Sequence, residues 1–370
     1  MAQPGGKPKP AFFIAVVAVI AALVAFAVMR GSSKSKKSNG GGSGTAKVNI
    51  DDIKKQAGTT PTPAEMDDIN SATTVKEYTF ESAQKLPPVP GTSDYKSIGK
   101  ERVVKFAINV WAGWAPIIYA NEGLKAKKVW TDGKGQPFKL DLIIADNPVD
   151  MRNIVASGEV HIGWATVDML PLLLESLQKD SRVMPRIYQQ VDWSNGGDGI
   201  VVRDSIKTAS DLRGKTVVLA QNSPSHFFAL NTLINSGVEP AEVDFRFTNT
   251  AFEAAAAFNA DKKIAGVVSW APDIYNLSDV KGNKLLVSTA TANKLIADVW
   301  FARADFAKDH PDIMEGLVRG IFDSMVALDA QEAKQQVATL MAEGFSLPAP
   351  DALAMLPDAH WTNYLTDWPD

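Results

Sequence analysis

From residue 102 onward the chain alternates short β-type apolar runs with stretches of helical apolar spacing, and this alternation limits its possible folds more than any other feature. Residues 102–111 (RVVKFAINVW) read as a strand, and Gly113 and Trp114 lead into a helix over 116–124 that has Pro116 in its first turn. A strand over 138–144 is followed by a helix over 148–156, with Met151, Ile154 and Val155 on one face and Gly158 as its stop. Val160, Ile162 and Trp164 alternate as a third strand, a helix covers 167–177, and another apolar run covers 183–190. After the polar, Gly-rich VDWSNGGDGIVVR the pattern restarts, with strands over 216–220, 243–248 and 265–270 and helices over 225–235 and 252–259. Strands over 284–288 and 298–303 precede a mainly helical stretch from His310. Alternation of this kind predicts an α/β fold with parallel pairing and right-handed crossovers. No short-period repeat suggests a solenoid.

Bulk properties remove several functions. The net charge of -4 is spread along the chain, so no basic field exists for a phosphate backbone and nucleic acid is excluded as a partner. There is no cysteine, which rules out disulfides, thiolate catalysis, thiolate metal sites and a lipid-modified cysteine anchor. The four histidines, His161, His226, His310 and His360, lack metal-ligand spacing and are expected to be structural or exposed, with His226 alone placed where it could face a cleft. Neither a cofactor nor a metal is expected.

Residues 11–29 (AFFIAVVAVIAALVAFAVM) are uncharged and mostly apolar, about 28 Å long as a helix at 1.5 Å per residue, which matches a bilayer core. They predict one N-terminal transmembrane helix within an anchor region over 1–30. The rival is a cleaved signal, for which Ala25, Phe26 and Ala27 offer a small-residue site, although the apolar run is long for one. Lys7 and Lys9 precede the run and Arg30, Lys34, Lys36 and Lys37 follow it, so charge alone would place the large domain in the cytoplasm. The Lys34–Lys37 cluster reads as part of a solvated tether, with anionic lipid or cell-wall polymer as the other option. Residues 31–99 form a flexible linker and pre-domain segment: Gly/Ser/Lys-rich to about Pro63, then mixed, with LPPVP at 86–90 expected to lie across the following domain without regular structure.

Six segments carry a resemblance: NVWAGWAPIIYANEGL, DNPVDMRNIVASGEVHIGWATVDML, GGDGIVVR, DLRGKTVVLAQNSPSHFFALNTLINSGV, GVVSWAPDIY and DVWFARADFAKDHPDIMEGLVRGIFDSM. In this order, over residues 102–345, they resemble the periplasmic binding proteins of the nitrate, sulfonate, taurine and thiamine-precursor type. The resemblance implies a two-lobed type II periplasmic binding protein fold, with lobe one over 100–193 plus 302–370 and lobe two over 198–298. It places two crossover hinge strands at 196–202 and 298–303. It also implies a monomer outside the cytoplasmic membrane, anchored to it by the N-terminal helix, that closes on a small-molecule ligand and delivers it to an ABC transporter permease. The alternatives are an anchored ligand sensor or structural module and, because relatives include thiamine-pyrimidine synthases, an enzyme. The chain stops at Asp370, where the resemblance implies more helix, so a lobe cut short is expected.

In open α/β sheets ligands sit beyond the carboxyl ends of strands, and four such ends stand out. The first carries Trp111, Gly113 and Trp114, indoles that could wall a ligand beside a close-approach glycine. The second carries Thr166 and Asp168, able to cap the next helix or to donate and accept. The third is a helix start with Asn222, Ser223 and Ser225, whose free backbone N–H groups suit a polar oxygen. The fourth carries Trp270 and Asp273, with Asp198 as a possible partner and Trp193 and Ser194 as rim candidates. Each of these residues also has an ordinary use in core packing or helix capping. The loops bring three aspartates and no Arg or Lys, which argues against a dianion held by arginine forks. A zwitterion, a cationic or neutral organic molecule, or a weak anion held by backbone N–H groups fits this balance.

Overall fold

Two sheets organise the computed structural model, which describes residues 86–292 and 294–363. The expected N-terminal anchor, the linker up to residue 85 and the last residues of lobe one lie outside the described residues. Among the described residues no helix is long and apolar enough to cross a membrane.

The strands are β1 (Val103–Ile108), β2 (Val129–Thr131), β3 (Pro137–Ile144), β4 (Ile162–Thr166), β5 (Pro185–Ser194), β6 (Asp198–Arg203), β7 (Thr216–Ala220), β8 (Asp244–Thr248), β9 (Gly266–Trp270), β10 (Asn283–Ser288), β11 (Ala297–Arg303) and β12 (Ala359–Trp361). One sheet has the order β12-β5-β11-β4-β1-β3-β2 and the other β10-β6-β9-β7-β8. Parallel pairing is confined to β3-β1-β4 and β9-β7-β8, whereas every described pair involving β5, β6, β10, β11 or β12 is antiparallel. The sequence pattern predicts parallel pairing throughout. It misses the reversal because the strands on either side of the inter-sheet passages run back against the βαβ core.

The helices are α1 (Ala115–Ala120), α2 (Pro148–Ala156), α3 (Leu170–Leu177), α4 (Pro224–Asn235), α5 (Ala251–Ala260), α6 (Asp273–Ser278), α7 (Ala304–Asp309), α8 (Pro311–Ala327), α9 (Gln331–Phe345) and α10 (Ala349–Ala354). Their starts follow local chemistry. Asn147 caps α2 by accepting from the backbone N–H groups of Val149 and Asp150, and Pro148 fills its first position. Thr250 caps α5 by accepting from Glu253 N–H, while the Glu253 carboxylate accepts from Asn249 N–H.

β4 is buried at all five positions, where the sequence pattern suggests alternation. It lies inside the sheet between β1 and β11, so it is covered on both faces and gains nothing from a polar side. A large core of Phe106, Trp114, Trp164, Trp300 and neighbours fills the first half, and two smaller clusters lie around the second sheet. Trp270 and Ala271, at the end of β9, pack into the first core, so the halves touch at the carboxyl ends of their strands.

The chain leaves the first sheet after Ser194 at the end of β5, enters the second at Asp198, and returns between the end of β10 at Ser288 and the start of β11 at Ala297. The expected second passage at 298–303 is therefore displaced. All of β11 pairs with β4 and β5, because its buried residues complete the first core. Likewise 198–202 is a strand of the second sheet, and the first passage is the short stretch 195–197.

Residues 86–98 form neither helix nor strand and run along the first half. Arg152 donates to the Pro87 carbonyl at 2.7 Å and Arg303 to the Ser93 carbonyl at 2.6 Å, while Ser93 N–H donates to the Ala156 carbonyl at 3.1 Å. Both guanidiniums are fully buried, so each gives fixed donors to carbonyls that would otherwise lack partners. His161 belongs to the same support. Its Nδ1 accepts from Lys105 N–H at 2.8 Å and its Nε2 lies 2.7 Å from the Lys96 carbonyl, and burial lowers its pKa to about 4.

Candidate ligand-binding cleft

The four predicted strand ends converge where the halves meet. Trp111 follows β1 and is buried, its Nε1 donating to Asp192 Oδ2 at 2.9 Å. Two glycines make this arrangement possible. A Cβ on Gly113 would stand 1.6 Å from Asp192 Oδ2, and a Cβ on Gly197, in the passage to the second sheet, would stand 2.2 Å from the Trp111 ring. The indole is thus wedged against the passage between the sheets, which is a tighter role for Trp111 and Gly113 than lining a surface. Trp114 goes elsewhere: it is buried in the first core, edge-on to Phe106 at 6.0 Å, with its Nε1 donating to Asn109 Oδ1 at 2.6 Å. Packing is the use the structure shows for it.

Trp270, at the end of β9, donates from Nε1 to the Val110 carbonyl at 3.1 Å and so bridges the two halves, with Phe252 edge-on to it at 5.9 Å. Tyr275 of α6 makes a second bridge, donating to Asp358 Oδ1 at 2.6 Å. At the passages themselves, Ser194 Oγ and Thr289 Oγ1 are 2.8 Å apart, and each lies 3.2 Å from Asp198 N–H.

The carboxylates gather at the same place. Thr166 of β4, Asp298 of β11 and Asp192 of β5 are register partners across three adjacent strands. The β5/β11 register shifts between Asp298 and Val299, leaving Val191 unpaired beside Asp192, a bulge of the kind that re-aims side chains at functional sites. Burial raises the pKa of Asp298 well above the carboxylate range, with Asp192 adding repulsion, and burial raises that of Asp192 as well. Asp198 is pushed up to about 7 by burial, with Asp168, Asp192 and Asp358 contributing like charge. Burial also pushes Asp273 up to about 7 and Asp168 and Asp358 up to about 6. Asp273 occupies the first position of α6, following Pro272, and its Oδ2 is buried with no hydrogen-bond partner among the described residues.

Ser223 is the N-cap residue of α4, but its hydroxyl donates back to the Ala220 carbonyl at 2.7 Å, which leaves the helix start to its backbone N–H groups. Asn222 adopts a left-handed φ of 57° and donates its N–H to His226 Nδ1 at 3.3 Å. Ser225 is fully buried, and among the described residues its hydroxyl has no hydrogen-bond partner. His226 is buried and its pKa is lowered to about 4 by that burial, so it is neutral.

Two cavities open between the halves. One, of about 310 Å³, is lined by Asp168 and Leu172 on one side and by Asn222, Ser223, His226 and Leu230 on the other. The second, of about 440 Å³, lies between Asn147, Val149 and Asp150 and the Asn222, Thr248 and Asn249 edge. Both fall within the size range of small-molecule sites, roughly 300–1,000 Å³. Among the described residues no group of three or more His, Cys, Asp or Glu is arranged to hold a metal ion.

Sequence reasoning missed Asp192, Asp298, Asp358, Tyr275 and Thr289. For the first two a signal existed, since an aspartate inside the apolar runs VDWS and ADVWF interrupts strands that are otherwise buried. Asp358 and Tyr275 carry no such signal, because only the fold brings them together.

A family profile described as "NMT1/THI5 like" matches residues 134–331, just over half of the chain. The taurine-binding periplasmic protein of Escherichia coli (strain K12) is 26% identical over 182 residues, covering 48% of this chain and 54% of that protein, so the chain spans about half the length of the curated relative it matches. The periplasmic aliphatic sulphonate binding protein SsuA from Escherichia coli superposes with a TM-score of 0.55 at 17% identity, covering 70% of this chain and 83% of its own. The periplasmic nitrate-binding protein NrtA from Synechocystis PCC 6803 does so with a TM-score of 0.54 at 15% identity, covering 68% and 69%. At these identities the likeness is one of fold, and it is the mixed α/β fold of type II periplasmic binding proteins.

Proposed function

This chain belongs to the NMT1/THI5-like family, and we propose from that premise that it is the solute-binding component of an ABC import system rather than an enzyme. The observation that carries the reading is the convergence of four strand ends from two sheets on one junction, with cavities of small-molecule size between the halves. We take the halves as the two lobes of the binder, the passages 195–197 and 289–296 as its hinges, and Trp111, Gly113, Thr166, Asp168, Asp198, Asn222, Ser223, Ser225, Trp270 and Asp273 as the surroundings of the ligand. The Trp270–Val110 and Tyr275–Asp358 bonds hold the closed arrangement. Opening breaks both and swings the lobes about the Ser194–Thr289–Asp198 network.

The relatives named above are, by name, periplasmic binding proteins for taurine, aliphatic sulphonate and nitrate, which supports an extracytoplasmic ligand binder. We read this chain as a monomer that presents its ligand to a permease. In this reading residues 11–29 anchor the chain and the segment up to 85 tethers it. The basic residues after the apolar run oppose this orientation, so protease accessibility in spheroplasts is the direct check. Cleavage of the large domain only after lysis refutes it.

The binding function is tested by thermal melting of the purified chain against amines, sulfonates, oxyanions and pyrimidines. A ligand present at 100 times its Kd stabilises the folded state by about 2.7 kcal/mol, an increment that melting resolves. Complete absence of a stabilising small molecule refutes it.

A further inference from the structure

The charge at the junction is one-sided. Asp168, Asp192, Asp198, Asp273 and Asp298 all approach it, and among the described residues none of them forms an ion pair with a Lys or Arg. Among the described residues the buried Arg152 and Arg303 are engaged on the 86–98 strap, and the half-buried Arg203 on the Phe258 and Ile264 carbonyls. Buried carboxylates without a countercharge are unfavourable unless they are protonated or meet a cation.

Hydrogen bonding within the protein leaves specific acceptors open. Asp192 is fully buried, with Oδ2 accepting from Trp111 and the carboxyl group also paired with that of Asp298. Asp168 Oδ1 and Asp273 Oδ2 are buried and, among the described residues, lack a partner of good hydrogen-bond geometry, with the Thr166 hydroxyl giving the Asp168 carboxylate its only side-chain support. Asp168 lines the cavity of about 310 Å³ between α3 and α4, whose other walls include the apolar Leu172, Leu230 and Ile234. An anion placed there would meet the Asp168 carboxylate, and an apolar neutral molecule would leave it unpaired. A cation with an apolar body satisfies both parts of the wall.

We propose that the cleft selects a small organic ammonium ion, its charged nitrogen received by Asp168 and its apolar body laid along Leu172, Leu230 and Ile234. The proposal rests on the solute-binding reading and names its substrate class. The other open acceptor, Asp273 Oδ2, extends the negative potential along the junction and disfavours sulfonate and nitrate, the ligands in the names of the relatives.

The test is thermal melting and calorimetric titration of the full chain with n-butylammonium and choline, set against butanesulfonate and nitrate at equal ionic strength. The ammonium ions are expected to raise the melting temperature and the anions to leave it unchanged. Asp168→Asn is expected to weaken n-butylammonium binding roughly tenfold to hundredfold, the effect of losing a charge-assisted hydrogen bond, while the exposed control Asp323→Asn does not. Asp168→Asn removes a buried carboxylate and so should melt no lower than the parent, which separates lost binding from lost folding. Stabilisation by butanesulfonate or nitrate alone overturns the cation assignment and leaves solute binding standing. Ammonium binding unaffected by Asp168→Asn overturns the site. No shift with any probe overturns both the class and the reading beneath it.

Discussion

Replacing Asp198 by Asn should make the protein more stable, and increasingly so as pH rises. Asp198 is 4% exposed, and its pKa in the folded protein is pushed up to about 7 from an ordinary value of 3.8 by burial and by Asp168, Asp192 and Asp358. A folded-state pKa above the unfolded one means that the native state holds the proton more tightly. Stability from this group is therefore complete below pH 3.8 and is lost as pH climbs through about 7. The gap of about 3 units, at about 1.4 kcal/mol each, amounts to roughly 4 kcal/mol when the loss is complete. By pH 5 only about 1.6 kcal/mol of this has been lost, so the advantage of the variant should widen by roughly 2–3 kcal/mol between pH 5 and pH 8. For a chain of this size that is roughly 3–5 °C in melting temperature. His161 and His226, whose lowered pKa values destabilise the protein as pH falls below 6.5, act equally on parent and variant and cancel in the difference. The assay is ligand-free thermal melting of both proteins by circular dichroism at pH 5 and pH 8. A gap that is constant, or that narrows with rising pH, refutes the claim that Asp198 is an uncompensated buried acid.

Other consequences follow from single contacts. Gly113→Ala puts a methyl on the Asp192 carboxylate, so the Trp111–Asp192 bond must break; a loss of about 1–3 kcal/mol and a changed Trp signal in near-ultraviolet circular dichroism are expected, and an unchanged spectrum contradicts the close approach. Trp270→Phe removes the donor to the Val110 carbonyl and should cost about 1–3 kcal/mol of the closed form, read as an increased radius of gyration in small-angle scattering. Tyr275→Phe should act in the same direction by about 1 kcal/mol, because Asp358 keeps its neutral form available. Arg303→Met removes the donor to the Ser93 carbonyl and one of the donors to the Val155 carbonyl and the Asp305 carboxylate, so trypsin should cut near Lys96 faster while the remaining core persists; unchanged cleavage means the strap is held by other contacts.

Much of the architecture was legible because it is local. The strand at 216–220 and the helix at 148–156 match the observed β7 and α2 to the residue, since apolar spacing, an Asn cap, a first-turn proline and a stop glycine act within a few positions. The four loops expected at the cleft do converge there, because a βαβ unit always delivers its strand ends to one edge. What the sequence reading got wrong depends on partners far along the chain. The resemblance placed the return passage at 298–303, but β11 is claimed by β4 and β5, and sheet pairing carries no mark in its own residues. Trp111 and Trp114 lie three positions apart in equivalent sequence surroundings, yet one wedges the passage between the halves and the other fills the core. The difference is set by Gly197 and Asp192 in one case and by Phe106 and Asn109 in the other.

By itself the sequence determined the α/β class, the exclusion of thiolate chemistry, and the set of loops from which a site could be built, all of which rest on periodicity and composition. Only the tertiary structure decided which aspartates share the junction and that, among the described residues, none has a basic partner there. Burial and like-charge proximity arise when strands distant in the chain become neighbours, and the pKa of a carboxylate is a property of that neighbourhood.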